Sequence, residues 1–399
     1  MYAAYIRARE NKSNKMDVIF FGDDIEKNIV NLIKEIRSGA YKIGLYREFK
    51  VYSPKERVIK SLPFRDRVVH QWYVHQFLIP TLVPKFIYDS HACIKTKGTH
   101  KAVNRVNYFM KMAKLQYGNY YILKMDIKKF FYSIDPDILM AILSKHFGDK
   151  LFLQLSEKLI YENGVKKGIP IGNYTSQYFA NLYLHELDNY IKHDLKVKYY
   201  VRYMDDFVLL VENKEVAKKL YFEIEIFLKT NLKLELNPKS NYYPYKMGVN
   251  FCGYRVFITH KLVRNRSKKE MRSKIRIWNK LYEEKNLNIE AVRASVSSWR
   301  GYISHANSFN LENNYLNKIA FKNLITGQSH FLADKELRKK AIENLTIYEK
   351  NNLLNQLMRE DEKILDRVYY NAMLSYYKVN TNKIASSIYK MLNPLDNDD

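Results

Sequence analysis

The sequence predicts an α+β fold, a sheet with helices on one face, and three observations carry that expectation. Residues 120–134 (YYILKMDIKKFFYSI) are an apolar, β-rich run, and residues 199–211 (YYVRYMDDFVLLV) are two short apolar arms around a polar tip. Residues 175–194 and 214–230 carry apolar side chains at helical spacing. In chain order these segments read strand, helix, helix, hairpin, helix, strand, strand.

Each element has its own local signal. Residues 24–38 (DIEKNIVNLIKEIRS) place acidic residues where a helix starts, and Gly39 ends the pattern. Two β-rich runs then flank Ser53-Pro54 and read as a basic hairpin, followed by a helix from about Asp66 to Leu82. The run at 120–134 is expected as a strand ending at an aspartate, which puts that carboxylate at an exposed strand end, and residues 137–146 as a helix. In the 175–194 helix, Phe179, Leu182, Tyr183, Leu187 and Tyr190 share one face, with Thr175 or Asn173 available as the cap. The arms at 199–211 predict a hairpin with Asp205 and Asp206 at its turn. LKLELNP (232–238) and NFCGYRVFI (250–258) read as strands. From Lys261 to Lys280 nearly half the residues are basic, interleaved with Ile275, Ile277 and Trp278, the pattern of a helix with one apolar and one cationic side or of a solvated charged face. Residues 313–399 read as a helical tail whose apolar stripe from Leu353 to Met373 needs burial, within the chain or through self-association. His70 and His75 fall in one predicted helix without sharing a face, which points to structural roles.

Composition narrows the partner. Across 399 residues, Lys and Arg number 67 against 42 Asp and Glu, a net charge of +25 that attracts a polyanion and poorly suits a small neutral substrate. No apolar run reaches the length of about eighteen residues that a membrane helix needs, so no membrane partner is expected. Two cysteines, Cys93 and Cys252, offer neither a disulfide framework nor a metal-ligand spacing, and no secretory h-region opens the chain; a reducing cytoplasm is the expected address. The 34 tyrosines could form base-stacking platforms, but a biased genome accounts for them better, since abundance alone places no ring beside a base.

The chemistry rests on carboxylates. Transfer of a nucleotidyl group to a nucleic-acid end uses two Mg2+ ions about 3.5–4 Å apart, which take oxygen ligands and a few carboxylates. Asp126 at a strand end and Asp205 at a hairpin tip supply such ligands, with Asp206 as an auxiliary. An Asp-Asp pair alone reads as a turn, and the context decides. Tyr203-Met204-Asp205-Asp206 between apolar arms is the YMDD signature of reverse transcriptases, and the other motifs of that family follow in order. DIKKFF from Asp126 resembles motif A, GIPIGNYTSQ from Gly168 motif B, LELNPKS from Leu234 motif D and GVNFCGYRVF from Gly248 motif E. PKERVIKSLPFRDRVVHQ and FIYDSHACIKTKGTHKAV are similar to the finger motifs of bacterial enzymes, so the resemblance covers about residues 20–310.

The resemblance implies a right-hand polymerase with a C-terminal helical extension. Its parts are an N-terminal and fingers region (1–119), a palm with inserted finger elements (120–258), a basic helical thumb (259–312) and the extension (313–399). It implies Asp126, Asp205 and Asp206 as ligands for two Mg2+, with Mn2+ as an alternative, Phe131 as the steric gate that selects deoxynucleotides, and Lys239 as the proton donor to pyrophosphate. Gly172 and Gln177 would approach the nucleotide, Lys55, Arg57 and Arg65 would grip its triphosphate, and Lys268, Lys269, Arg272 and Arg276 would hold nucleic acid. The partners it implies are template RNA, product cDNA and dNTPs, with a cognate non-coding RNA, an accessory protein and a second copy of the chain as further candidates. Motif B departs from many relatives, reading Ile171-Gly172 and Ser176-Gln177 where a Gln-Gly pair and a Ser-Pro are frequent. That departure looks like diversity-generating-retroelement enzymes, which are error-prone, and the related defence-associated enzymes; the long tail points to the second. No endonuclease, maturase-type or RNase H domain is expected after the thumb, which points away from intron mobility. An RNA-binding scaffold with a polymerase fold is the alternative from another class.

Overall fold

A strand buried on one face alternates core and surface side chains, and residues 123–126 do so: Leu123 and Met125 enter the main core while Lys124 and Asp126 stay half-buried on the other face. In the computed structural model of the chain, which describes residues 1–52, 56–161 and 167–326, this strand is the centre of the fold. The chain divides into two compact units, Met1–Leu262 and a second beginning at Val263.

The first unit opens with α1 (Tyr2–Arg9), α2 (Met16–Asp23) and α3 (Ile25–Arg37), then the hairpin β1 (Arg47–Val51) and β2 (Arg57–Ser61). Helix α4 (Phe64–Tyr73) runs through a wider π turn at Val74–Leu78 into α5 (Ile79–Leu82), so the single helix expected to Leu82 changes pitch at its middle. After α6 (Thr99–Tyr117) come β3 (Tyr121–Asp126), α7 (Phe130–Ser133), α8 (Pro136–Ser144), α9 (Lys150–Ile160) and α10 (Tyr174–Asn189). The hairpin β4 (Tyr199–Tyr203) and β5 (Asp206–Val211) leads to α11 (Lys214–Asn231) and β6 (Asn241–Pro244). These strands form an antiparallel sheet in the order β4-β5-β3-β6, beside which β7 (Val249–Phe251), β8 (Tyr254–Val256) and β9 (Lys261–Val263) make a small second sheet. The core joins Leu123, Met125, Phe207 and Leu209 of the sheet to Phe179, Leu182, Leu187, Ile224 and Leu228 of α10 and α11. Each such side chain contributes about 1.5–3 kcal/mol by leaving water.

Four sequence expectations need correction. The run at 120–134 is a strand as far as its expected end at Asp126, but beyond it Lys129 takes a left-handed conformation (φ +47°) and turns the chain into α7, so that Phe130 and Phe131 lie on a helical turn. LKLELNP forms one bridge, Leu236 to Ile127, because its backbone groups serve the end of α11 and the turn after β3: Leu234 N–H donates to Leu228 and Asn237 N–H to the Asp126 carbonyl. Helix α10 is buried around nearly its whole circumference, and neither candidate side chain caps it: Asn173 Nδ2 donates to Tyr46 and Thr175 Oγ1 meets His70. Lys261–Val263 is a strand, so the basic helix begins later.

The second unit holds that helix, α12 (Asn265–Glu283), with α13 (Ile289–Ile303), α14 (Phe309–Leu316) and α15 (Lys322–Thr326). Met271 and Ile275 of α12, Val292, Val296 and Trp299 of α13 and Tyr315 and Ile325 share one core, with Tyr315 stacked on Trp299. The boundary drawn at 313 thus falls inside a packed core, and the Leu353–Met373 stripe lies outside the described residues.

Candidate active site

Pairing brings the carboxylates together. Asp126, the last residue of β3, stands opposite Asp206, the first of β5, and the Ile127 N–H donates to the Asp205 carbonyl at 3.2 Å. Directly opposed residues share a face with Cβ atoms about 5 Å apart. Met204 makes the tight turn possible by taking a left-handed conformation (φ +57°). Burial raises the pKa of the neighbouring Tyr203 phenol.

Three side chains that sequence reasoning did not single out hold this arrangement. Lys124, two residues before Asp126 and on the same face, pairs with the Asp206 carboxylate. Asn237 Nδ2 donates to Asp126 Oδ2 at 2.9 Å, and the Ser240 hydroxyl accepts from the Asp126 N–H at 3.0 Å and donates to its carbonyl. A lone lysine in an apolar strand was a readable signal for the first; the other two come from a loop whose register with β3 is set by long-range bonds.

The donor set is all oxygen, from rigid elements, and suits Mg2+, which typically takes one or two carboxylates and fills its shell with water and phosphate. No group of three or more His, Cys, Asp or Glu among the described residues is arranged to hold a metal by itself, in keeping with Asp206 being engaged by Lys124.

Around this centre, Phe131 is half-buried with its ring edge-on to the buried Phe130 at 5.6 Å. Lys239 is exposed, its N–H bound to Asn237 Oδ1 at 3.1 Å. Gly172 has φ +127°, and a Cβ there would lie 2.4 Å from the Lys60 carbonyl oxygen; the glycine is needed by the close approach of β2, which the Lys60 N–H to Ile171 carbonyl bond (3.1 Å) maintains. Beside it, Gln177, Arg7, Lys12, Lys60 and Arg67 line a cavity of about 310 Å3 with no carboxylate in its wall. His70 also lines it, fully buried, with Nδ1 on Thr175 Oγ1 at 2.9 Å and burial pushing its pKa down to about 3. His75 approaches the preceding residue, Tyr174, so both histidines meet the start of α10.

Of the three residues expected to grip a triphosphate, the side chain of Arg65 is described. Arg65 is directed to Glu35 of α3 at 2.5 Å, Arg57 is placed by its backbone pairing with Val51, and Lys55 lies outside the described residues. In the second unit, Lys269, Arg272 and Arg276 share one exposed face of α12 and line a groove of about 650 Å3 with Lys318, while Lys268 is half-buried outside it.

Comparison with known proteins gives a consistent likeness. The family described as reverse transcriptase (RNA-dependent DNA polymerase) matches residues 50–256, more than half of the chain. The group II intron-encoded protein LtrA of Lactococcus lactis subsp. cremoris is 23% identical over 335 residues, 64% of this chain and 54% of that protein. The COX1/OXI3 intron 2 protein of Saccharomyces cerevisiae is 23% identical over 282 residues, 54% of this chain and 31% of its own length. The chain thus spans between about a third and about half of these relatives. They are intron-encoded proteins, the group from which the expected lack of an endonuclease, maturase-type or RNase H domain after the thumb points away. Among solved structures, telomerase from Candida albicans in complex with a TWJ fragment of telomeric RNA aligns with a TM-score of 0.44 and 12% identity, over 78% of this chain and 66% of that one. No described helix is long and apolar enough to cross a membrane.

Proposed function

The chain belongs to the reverse transcriptase family, and from that premise we propose that it is an RNA-directed DNA polymerase that copies a cognate, non-coding RNA into cDNA from dNTPs. The observation that carries this reading is the pairing of β3 with β5, which sets Asp126 against the Tyr203–Asp206 turn. Reverse transcriptases in general work with divalent metal ions; here two Mg2+, or Mn2+, held by Asp126 and Asp205 with Asp206 alongside, would activate the 3′-hydroxyl and neutralise the phosphates.

The chain's own residues do the rest. Asn237 and Ser240 orient Asp126, and Lys124 offsets the charge of Asp206. Phe131 lies under the incoming sugar and excludes a 2′-hydroxyl, and Gln177 faces the nascent pair beside Gly172. Lys239, carried by the loop whose Asn237 holds Asp126, delivers a proton to pyrophosphate. Lys55 and Arg57 of the hairpin receive the triphosphate; Arg65 joins them only by leaving Glu35. The α12 groove, with Lys269, Arg272 and Arg276 on its wall and Lys268 behind them, holds the nucleic-acid backbone.

Antiphage defence in the cytoplasm is the biological role we favour. Ile171 supports a second reading, an error-prone enzyme of a diversity-generating retroelement, since an apolar side chain replaces an amide there. The test is to purify the chain from its host, sequence the bound RNA and DNA, and repeat with Asp126→Asn and Asp205→Asn. The reading expects cDNA that disappears in both variants, with a sequence that separates defence products from mutagenised repeats. RNA bound equally by all forms with no DNA in any would replace it with the scaffold.

A further inference from the structure

An arginine lies in the apolar arm just before the metal-site turn, and its surroundings are unusual for a charged side chain. Arg202 is fully buried, as are Asp188, Asn181 and Tyr200 around it. Its guanidinium forks onto Asp188 (Nε to Oδ1 at 2.8 Å, Nη2 to Oδ2 at 2.5 Å), and the Tyr200 hydroxyl donates to the same carboxylate at 2.7 Å. The remaining arm, Nη1, donates to Asn181 Oδ1 at 3.1 Å and to the Met204 carbonyl at 3.2 Å. Asn181 is anchored in turn on the Ala92 carbonyl, and the Arg202 backbone is clamped by Asp89 and His91.

Burying an ion pair gains little stability over an apolar packing of the same volume, so stability is a weak reason for this network. Its geometry supplies another. Met204 is the left-handed residue of the turn, a conformation that costs a non-glycine residue energy, and its carbonyl is the one Arg202 holds. The following carbonyl, of Asp205, is held from the other side by the Ile127 N–H, next to Asp126. We propose that Arg202, oriented by Asp188 and Asn181, is a positioning residue that fixes the Met204 peptide and so sets where the Asp205 carboxylate stands relative to Asp126. The inference rests on the reading of Asp205 as a metal ligand.

The test measures Mn2+ binding to the full chain by electron paramagnetic resonance, without substrate or turnover, together with amide exchange at Met204–Asp206. Arg202→Lys retains a cation for Asp188 but loses the fork; an Mn2+ Kd raised at least about tenfold is expected, in the range found for groups that support metal ligands, with faster exchange in the turn. Tyr200→Phe, which loosens the same network without touching Met204, should lower Tm and leave Kd within about twofold. If Arg202→Lys does not fold, the neutral pair Arg202→Gln with Asp188→Asn takes its place. A folded variant with wild-type Kd and exchange, while Asp205→Asn weakens binding, overturns the positioning role alone. Unchanged binding in Asp205→Asn overturns the metal reading and the inference with it.

Discussion

Replacing Gly172 by alanine isolates how the β1/β2 hairpin is attached to the segment before α10. The added Cβ would sit 2.4 Å from the Lys60 carbonyl oxygen, a backbone atom, so β2 must retreat by roughly 1 Å to reach ordinary contact. That movement stretches the Lys60 N–H to Ile171 carbonyl bond from 3.1 Å beyond useful range, a net loss of about 0.5–1.5 kcal/mol. Holding alanine at φ +127° costs about 1–3 kcal/mol more, giving about 1.5–4.5 kcal/mol together. Strand β1 is exposed along its whole length, so the hairpin has little buried area to resist and should detach before the core opens. Amide exchange reads the detachment directly: Lys60 should lose most of its protection while Leu123 and Leu209 keep theirs. On the proposed function, the dNTP KM should rise with a smaller change in kcat. Gly301→Ala, in the last turn of α13 with nothing within 4 Å of the new Cβ, is the control and should stabilise by up to about 0.5–1 kcal/mol. Wild-type protection of Lys60 and an unchanged KM in Gly172→Ala would refute the argument.

Two further outcomes follow from the electrostatics. Burial lowers the His70 pKa from its ordinary value to about 3, so between pH 6.5 and 3 the unfolded chain binds a proton that the folded chain does not. Stability therefore falls with pH below 6.5 by about 1.4 kcal/mol per unit from this group, and His70→Asn should show about 2 kcal/mol less loss between pH 6.5 and 5 in urea unfolding; equal pH dependence in the two proteins would contradict it. Lys124→Met leaves Asp126 and Asp206 opposed without their cation, a repulsion of at most about 3 kcal/mol at 5 Å and an effective dielectric constant of 20. The variant should have a lower Tm in EDTA and a larger rise in Tm on adding Mg2+ than the wild type, and an equal Mg2+ increment would rule out the charge argument.

Much of the fold was legible because its causes are local. The β-rich run at 120–126, the polar tip at 203–206 between apolar arms, the helical spacing of 214–230 and the glycine ending α3 each depend on neighbours within a turn or a strand. The order of the motifs identified the family and nominated the three aspartates as candidates for the same reason: they are adjacent in sequence to the elements that display them. The groups that tune the site were not legible, since each acts through a partner far along the chain. Lys124 meets Asp206 only because β3 pairs with β5 in one register, and Asn237 meets Asp126 only because the loop after α11 returns to the end of β3. Gly172 read as a glycine for approaching the nucleotide, whereas the neighbour it admits is the Lys60 carbonyl. Arg202 carries no local signal of its enclosure with Asp188, because burial is a property of the assembled core and a sequence window does not contain it.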